Sequence, residues 1–331
     1  MPARKSILIV GVGSIGERHL RCFLATGRAD IWLCEINPVL RRAVAERYPA
    51  ARVFEDYSVA LEQKPDAVVI CTPADLHIPL ALLAAKRGVH LLIEKPLSTK
   101  TDGLEALRSE IASRKIVAGV AYVFRAHPAL IAMREAVRSG TFGKPLQIVG
   151  TFGQNFPFYR PGYRETYYRN RATGGGAVQD ALTHAINMGE WLVGPVEKLV
   201  ADAAHQSLEG VEVEDTVHVL TRHGSVLGSF SLNQYQAPNE GFLTVVCQNG
   251  TARFESHLHR WRWQTEPGSV WHDEPAANLE RDTLFTNQAG SFLNALEGLH
   301  PPSCTLEEGA QTLRVNLSIL RAIDEPRWQT V

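Results

Sequence analysis

The chain has 331 residues, a formal net charge of −1, and is 45% hydrophobic and 21% charged. That length exceeds one ordinary domain and the apolar share is ample for a core, so an intrinsically disordered chain is excluded. Acids and bases are interspersed with no basic stripe to follow a phosphate backbone, so nucleic acid is excluded as a partner.

The five cysteines, Cys22, Cys34, Cys71, Cys247 and Cys304, are odd in number, scattered and without a Cys-x-x-Cys pair, a pattern that fits a reducing compartment. Arg4 and Lys5 precede an apolar run, but Gly11, Gly13 and Gly16 interrupt it and Glu17-Arg18-His19 follow, so it reads as a buried first strand rather than a leader. No apolar stretch is long enough to cross a bilayer and there is no twin-arginine signal. A cytoplasmic protein with no membrane partner is expected.

In chain order, Ile7–Val10, Ile31–Cys34, Ala67–Cys71 and Leu91–Ile93 are short, continuous apolar runs separated by amphipathic segments. This is the βαβ rhythm of a parallel sheet covered by helices on both faces. The rhythm changes around Ala121 to Pro128, where a helix runs to about Ser139. Longer alternating strands follow, including Val217–Arg222, Val226–Asn233, Leu243–Cys247 and Thr251–Glu255, with His223-Gly224 and Asn249-Gly250 as turns. Two helical patterns, Leu284–Leu299 and Leu306–Ile323, close the chain and are expected to cover one face of that second sheet. The fold class is therefore α/β: an N-terminal Rossmann domain, residues 1–122, and a C-terminal α+β domain, residues 123–331, with a large open, mostly antiparallel sheet.

Gly11-Val12-Gly13-Ser14-Ile15-Gly16 follows the first strand and opens a helix, so its backbone amides can approach a pyrophosphate at the positive helix end. The hexapeptide alone also describes a glycine turn without a ligand; the context decides. Glu35 ends the next strand, at the distance where an acidic side chain accepts from the adenosine ribose and repels a 2′-phosphate. NAD is the expected cofactor. Arg41 and Arg42 on the following helix leave NADP open. Cys71-Thr72-Pro73 and Glu94-Lys95-Pro96 end the fourth and fifth strands, where ligands of an open α/β sheet bind; with His77 they complete the expected cofactor contacts.

Further on, Gly174-Gly175-Gly176 opens a helix carrying Asp180 and His184 four residues apart, on one face of an α-helix. A carboxylate and an imidazole so spaced converge on one substrate hydroxyl. The same spacing also binds zinc, but no third ligand is evident, and no metal is expected.

The strand-end Glu-Lys-Pro, together with the glycine-rich entry and the Asp-x-x-x-His helix, resembles the glucose-fructose oxidoreductase/inositol dehydrogenase/MocA family over essentially the whole chain. The resemblance implies an NAD(P)-dependent dehydrogenase acting on a CH–OH group of a sugar, polyol or sugar derivative. Lys95, Asp180 and His184 would be its catalytic residues. His184 takes the hydroxyl proton, Lys95 hydrogen-bonds the same oxygen and stabilises a developing alkoxide, and Asp180 positions substrate or imidazole. Asn187 stands where many relatives carry an acid. The resemblance also leaves room for a redox-neutral member that oxidises transiently to enable elimination or glycoside cleavage, or for a non-catalytic cofactor-binding regulator. Retention of both Lys95 and His184 speaks against the latter.

A loop dense in aromatics and arginines, Phe156, Phe158, Tyr159, Arg160, Tyr163, Arg164, Tyr167, Tyr168, Arg169 and Arg171, can stack on a sugar and grip an anion, or serve as a subunit contact. Tyr163 and Arg164 join Arg125 as substrate-binding candidates, with His127 beside them. His257 to Trp263 reads as one strand with His257, His259, Trp261 and Trp263 on one side. The family's open sheet pairs face to face, so a homodimer or homotetramer through the C-terminal sheet is expected.

Overall fold

The computed structural model describes residues 4–331. It divides into two compact units, one formed by the chain up to Ala126 with Glu280–Gly309, the other by His127–Leu279 with Ala310–Val331.

In the first unit, six parallel strands, β1 (Lys5–Val10), β2 (Ala29–Cys34), β3 (Arg52–Phe54), β4 (Ala67–Ile70), β5 (His90–Ile93) and β6 (Ala118–Val120), lie in the order β3-β2-β1-β4-β5-β6. Every residue of β4 is buried, which is why its sequence is apolar without alternation. The order reverses between β1 and β4, and the crevice beyond their carboxyl ends is where an open α/β sheet binds its ligand.

The helix Thr283–Leu296 belongs to this unit and not, as the sequence pattern suggested, to the second sheet. Its Ala289, Phe292 and Leu293 join the core of Ile7, Ile9, Leu20, Phe23 and Leu33. The ring of Phe292 meets Phe23 edge-on at 6.3 Å. Asp282, one residue before that helix, pairs with Arg21 (Nη2 to Oδ1, 2.9 Å) and with Arg18 (3.2 Å). An apolar stripe accompanied by a matched charge at its end fixes where the returning helix docks.

The second unit is built on nine strands: β7 (Pro145–Asn155), β8 (Lys198–Ala204), β9 (Thr216–His223), β10 (Val226–Asn233), β11 (Tyr235–Cys247), β12 (Gly250–Glu255), β13 (Arg260–Gln264), β14 (His272–Asp273) and β15 (Gln329–Thr330). Their order is β14-β13-β12-β11-β7-β10-β9-β8-β15, antiparallel except between β7 and β10. The helices Pro128–Arg138 and Thr183–Val193 pack on it. Gly189 lets the second come close, since a Cβ there would lie 2.7 Å from the ring of Phe230. The segment His257–Trp263 is not one strand: Ser256–Leu258 is a 3-10 turn, His259 has φ +52° and β13 starts at Arg260. Trp261 is buried in the core rather than presented to a partner.

Candidate functional site

In the first unit, α1 (Ser14–Ala25) starts directly after the glycine turn, with Gly13 as its N-cap and no side chain capping it. Its first amides are therefore left for an anion. The three glycines have different reasons to be glycine. Gly11 has φ +79°, and a Cβ on Gly16 would sit 1.9 Å from the carbonyl oxygen of Gly11, so both are demanded by the turn itself. A Cβ on Gly13 would meet nothing within 4 Å. The space there would admit a pyrophosphate, and Ser14 beside it is exposed. Gly13→Ala is accordingly expected to leave thermal stability intact but weaken NADH binding about 10- to 100-fold. Gly16→Ala should destabilise the fold by about 3 kcal/mol. Thermal melts and a fluorescence titration with NADH separate the two; equal loss of stability in both variants would contradict the assignment.

Glu35 lies at the end of β2 and is folded back on the turn: Oε2 accepts from Val12 N at 3.0 Å and Oε1 from Asn37 N at 2.9 Å. Arg41 holds the Glu35 carbonyl (2.8 Å) and pairs with Glu55 (3.0 Å), so its guanidinium is already engaged by protein groups. Ile36, the next residue, is 85% exposed, an apolar surface beside Glu35 that sequence reasoning did not single out.

Cys71, at the end of β4, packs under the glycine turn, its carbonyl oxygen 3.0 Å from the place of a Gly11 Cβ. Burial pushes its thiol pKa well up, so it is inert packing rather than a nucleophile. Pro73 is exposed, and Thr72 Oγ1 is a buried hydroxyl with no hydrogen-bond partner among the described residues. An orphan hydroxyl at the carboxyl end of a central strand fits a ligand contact. His77, expected among the cofactor contacts, is instead a clamp. It is buried, with Nδ1 2.9 Å from the Pro96 carbonyl and Nε2 2.8 Å from the Thr72 carbonyl. Burial lowers its pKa against the pull of those two carbonyls. It ties together the turns after β4 and β5.

Lys95 is half-buried on the second of those turns, and its peptide to Pro96 is cis. Its backbone N–H donates to Glu94 Oε2 at 2.9 Å. The other Glu94 oxygen accepts from His19 Nε2 at 2.7 Å, and both side chains are buried. Burial alone would raise the Glu94 pKa, but the hydrogen bond and charge of His19 and the charge of Lys95 hold it below the usual carboxylate range. The turn bearing Lys95 is thus anchored to α1, a link of 75 residues in sequence.

In the second unit, the glycine triplet is a packing device. A Cβ on Gly175 would fall 2.1 Å from the Tyr168 carbonyl oxygen, and one on Gly176, where φ is +87°, 2.4 Å from Glu214 Oε1. The buried Glu214 accepts from Val178 N (3.1 Å) and Arg171 Nε (2.6 Å), fixing the entry of the next segment. That segment, Val178–Leu182, is a π-helical turn leading into Thr183–Val193. Asp180 therefore lies in a wider turn than plain i, i+4 spacing assumed, a feature common at functional sites. Asp180 and His184 are both partly exposed, whereas Ala177, Val178, Leu182 and Ile186 are buried. Tyr167 donates to Asp180 Oδ1 at 2.7 Å.

The remaining candidates are engaged within their own units. Asn187 is buried, and its Nδ2 donates to Thr312 Oγ1 at 3.0 Å, facing a neighbouring helix. Tyr163 is only 3% exposed, its hydroxyl donating to the Glu209 carbonyl at 2.6 Å, and it packs with Phe156, Tyr168, Leu208, Val211 and Val213. Arg164 lies over the Tyr163 ring at 5.2 Å and donates to the same carbonyl at 2.8 Å. Three of the six loop aromatics that could stack on a sugar or form a subunit contact, Phe156, Tyr163 and Tyr168, thus form a satellite core, while Phe158, Tyr159 and Tyr167 are exposed. Arg125 is 3% exposed and forms an ion pair with Glu308, whose pKa is held down by that guanidinium against the effect of burial. His127 is buried against Phe254, its ring 5.7 Å from that of His259, and its pKa falls to about 4 through burial and then that neighbouring imidazole. Among the described residues no group of three or more His, Cys, Asp or Glu is arranged to hold a metal ion.

An uncapped helix behind a glycine turn, an acid at the end of β2 and a lysine at the end of β5 define an NAD-binding oxidoreductase, and NAD is the cofactor. The family profiles agree: residues 5–122 match the NAD-binding Rossmann fold of the GFO/IDH/MocA oxidoreductases and residues 130–253 their C-terminal domain. The chain belongs to that family. It is 27% identical to the levoglucosan dehydrogenase of Pseudarthrobacter phenanthrenivorans over 56% of this chain, spanning only 50% of that protein. It is 23% identical to the UDP-N-acetylglucosamine 3-dehydrogenase of Acidithiobacillus ferrooxidans over 96% of both. Among solved structures it resembles the WlbA dehydrogenase of Bordetella pertussis in complex with NADH and UDP-GlcNAcA, with a TM-score of 0.86 and 25% identity over 100% of this chain and 99% of the other.

Proposed function

We propose that the protein is a dehydrogenase of a CH–OH group on a sugar, polyol or sugar derivative, with Lys95, Asp180 and His184 as its catalytic residues. The observation that carries the reading is the π-turn bearing Asp180 and leading into the helix of His184, which leaves both side chains partly exposed on a mostly buried helical segment. The bound nicotinamide supplies the hydride acceptor. The protein has to remove a proton from the hydroxyl: His184 accepts it, imidazole being the side chain suited to proton transfer near neutral pH, and Asp180 orients that ring or the substrate. The Lys95 ammonium stabilises the alkoxide character that develops on the oxygen. Relatives named for sugar and nucleotide-sugar substrates support the substrate class.

The open face of the second sheet leaves Leu220 and Leu227 about half exposed, which supports a homo-oligomer formed through it. The five cysteines are buried and unpaired, in keeping with a cytoplasmic location, and no helix among the described residues is long and apolar enough to cross a membrane. NADH formation with polyols, hexoses, sugar acids and nucleotide sugars tests the function. Turnover on at least one class is expected. NADH binding without turnover on any would remove the dehydrogenase reading in favour of a sensor or a recycling cofactor.

A further inference from the structure

The loop before the glycine triplet sends neighbouring tyrosines to opposite sides. Tyr168 is 2% exposed in the satellite core with Phe156 and Tyr163, whereas Tyr167 is 46% exposed and contributes no ring to that cluster. Its backbone is nonetheless fixed. Its carbonyl accepts from Thr173 Oγ1 at 3.0 Å and from Asn170 N at 3.1 Å, and lies 2.7 Å from the place a Gly175 Cβ would occupy. From this anchored position the phenol reaches Asp180 Oδ1 at 2.7 Å.

The phenol–carboxylate contact acts directly on the carboxylate. A phenol donating to one oxygen fixes the plane of the group and favours its ionised form. Both are requirements for an acid that orients an imidazole about to gain a proton. Burial, and then the charges of Asp180, Glu214 and Asp215, raise the pKa of Tyr168, so the Asp180 carboxylate shares its neighbourhood with two further acids. The helix that follows carries His184 and, further along, Glu190. We propose that Tyr167 is a positioning residue for Asp180, coupling the aromatic loop to the catalytic segment; the inference rests on the catalytic reading of Asp180 given above.

Tyr167→Phe removes only the hydroxyl. It is expected to lower kcat about tenfold with KM, NADH affinity and melting temperature little changed, and to move the acid limb of the kcat/KM profile up by about half to one pH unit. In the cofactor-free protein, the Asp180 carboxylate followed by carbon-13 NMR should titrate higher by a similar amount. Tyr167→Phe added to Asp180→Asn should cost nothing further. Unchanged kcat and pH profile in Tyr167→Phe, while Asp180→Asn is inactive, would overturn the proposal and leave the function standing. A lowered melting temperature with an unmoved acid limb would overturn it in favour of a structural role. Full activity in Asp180→Asn would overturn it through its premise, and the NMR titration would still report whether the contact itself exists.

Discussion

Lys95→Ala is expected to lower kcat by about 10²- to 10³-fold while NADH binds as before. One aimed donor to a developing oxyanion is worth that much, because it acts where charge appears and its alignment is already set by the fold. The alignment here comes from the backbone. The Lys95 N–H is held by Glu94, the Pro96 carbonyl by His77, and neither contact involves the lysine side chain. Alanine removes the ammonium, and with it one of the charges that hold Glu94 ionised, but neither backbone contact of the turn, so melting temperature should change little and cofactor affinity shows which step is lost. Rate loss accompanied by loss of NADH affinity would instead place Lys95 in cofactor binding. Activity within about threefold of the parent would exclude it from the chemistry.

The parts of this molecule that were legible in its sequence are those with local causes. A continuous apolar run has to be a strand covered on both faces, and a glycine turn after it has to serve the chain, a ligand or both. Those rules located β1, β2, β4 and β5 and every strand end that carries a proposed cofactor or catalytic residue. The nonlocal features were out of reach. Whether the apolar stripe of Ala289, Phe292 and Leu293 docks on α1 or on the second sheet depends on partners some 270 residues away in sequence, such as Phe23 and Arg21 for the segment from Asp282 to Phe292. Composition likewise could not distinguish an aromatic loop that stacks on a sugar from one that packs on itself; the buried Tyr163 and exposed Tyr167 are the same residue type four positions apart. The π-turn at Val178–Leu182 has no sequence rule of its own. Its traces are the three glycines, two of which are explained by close approach to Tyr168 and Glu214.

The buried His19–Glu94 contact is the clearest case of a functional feature hidden this way, and it leads to the second large expected effect. His19→Leu takes the hydrogen-bond donor from a carboxylate that stays buried, and breaking one side of such a pair costs about 3–5 kcal/mol. The ring also stands edge-on to Phe285 at 5.4 Å, so leucine retains apolar contact while losing the polar one. The loss should depend on pH. The Glu94 pKa is lowered in the folded state, so its contribution is present above the unfolded carboxylate pKa of about 4.3 and disappears as pH falls through the folded value. In His19→Leu the stabilised ionised form is gone. The difference in stability between parent and variant should then be greatest at neutral pH and shrink under acid. Glu94→Leu combined with His19→Leu should be less destabilised than the two single variants added together, because no charge is left stranded. Catalysis reports the second half of the argument: releasing Glu94 loosens the peptide that carries Lys95, so kcat should fall in His19→Leu even at temperatures where the protein is fully folded. Denaturation curves at several pH values and kcat measured well below the melting temperature check both. A variant as stable and as fast as the parent would show that the anchor between α1 and the lysine turn is dispensable.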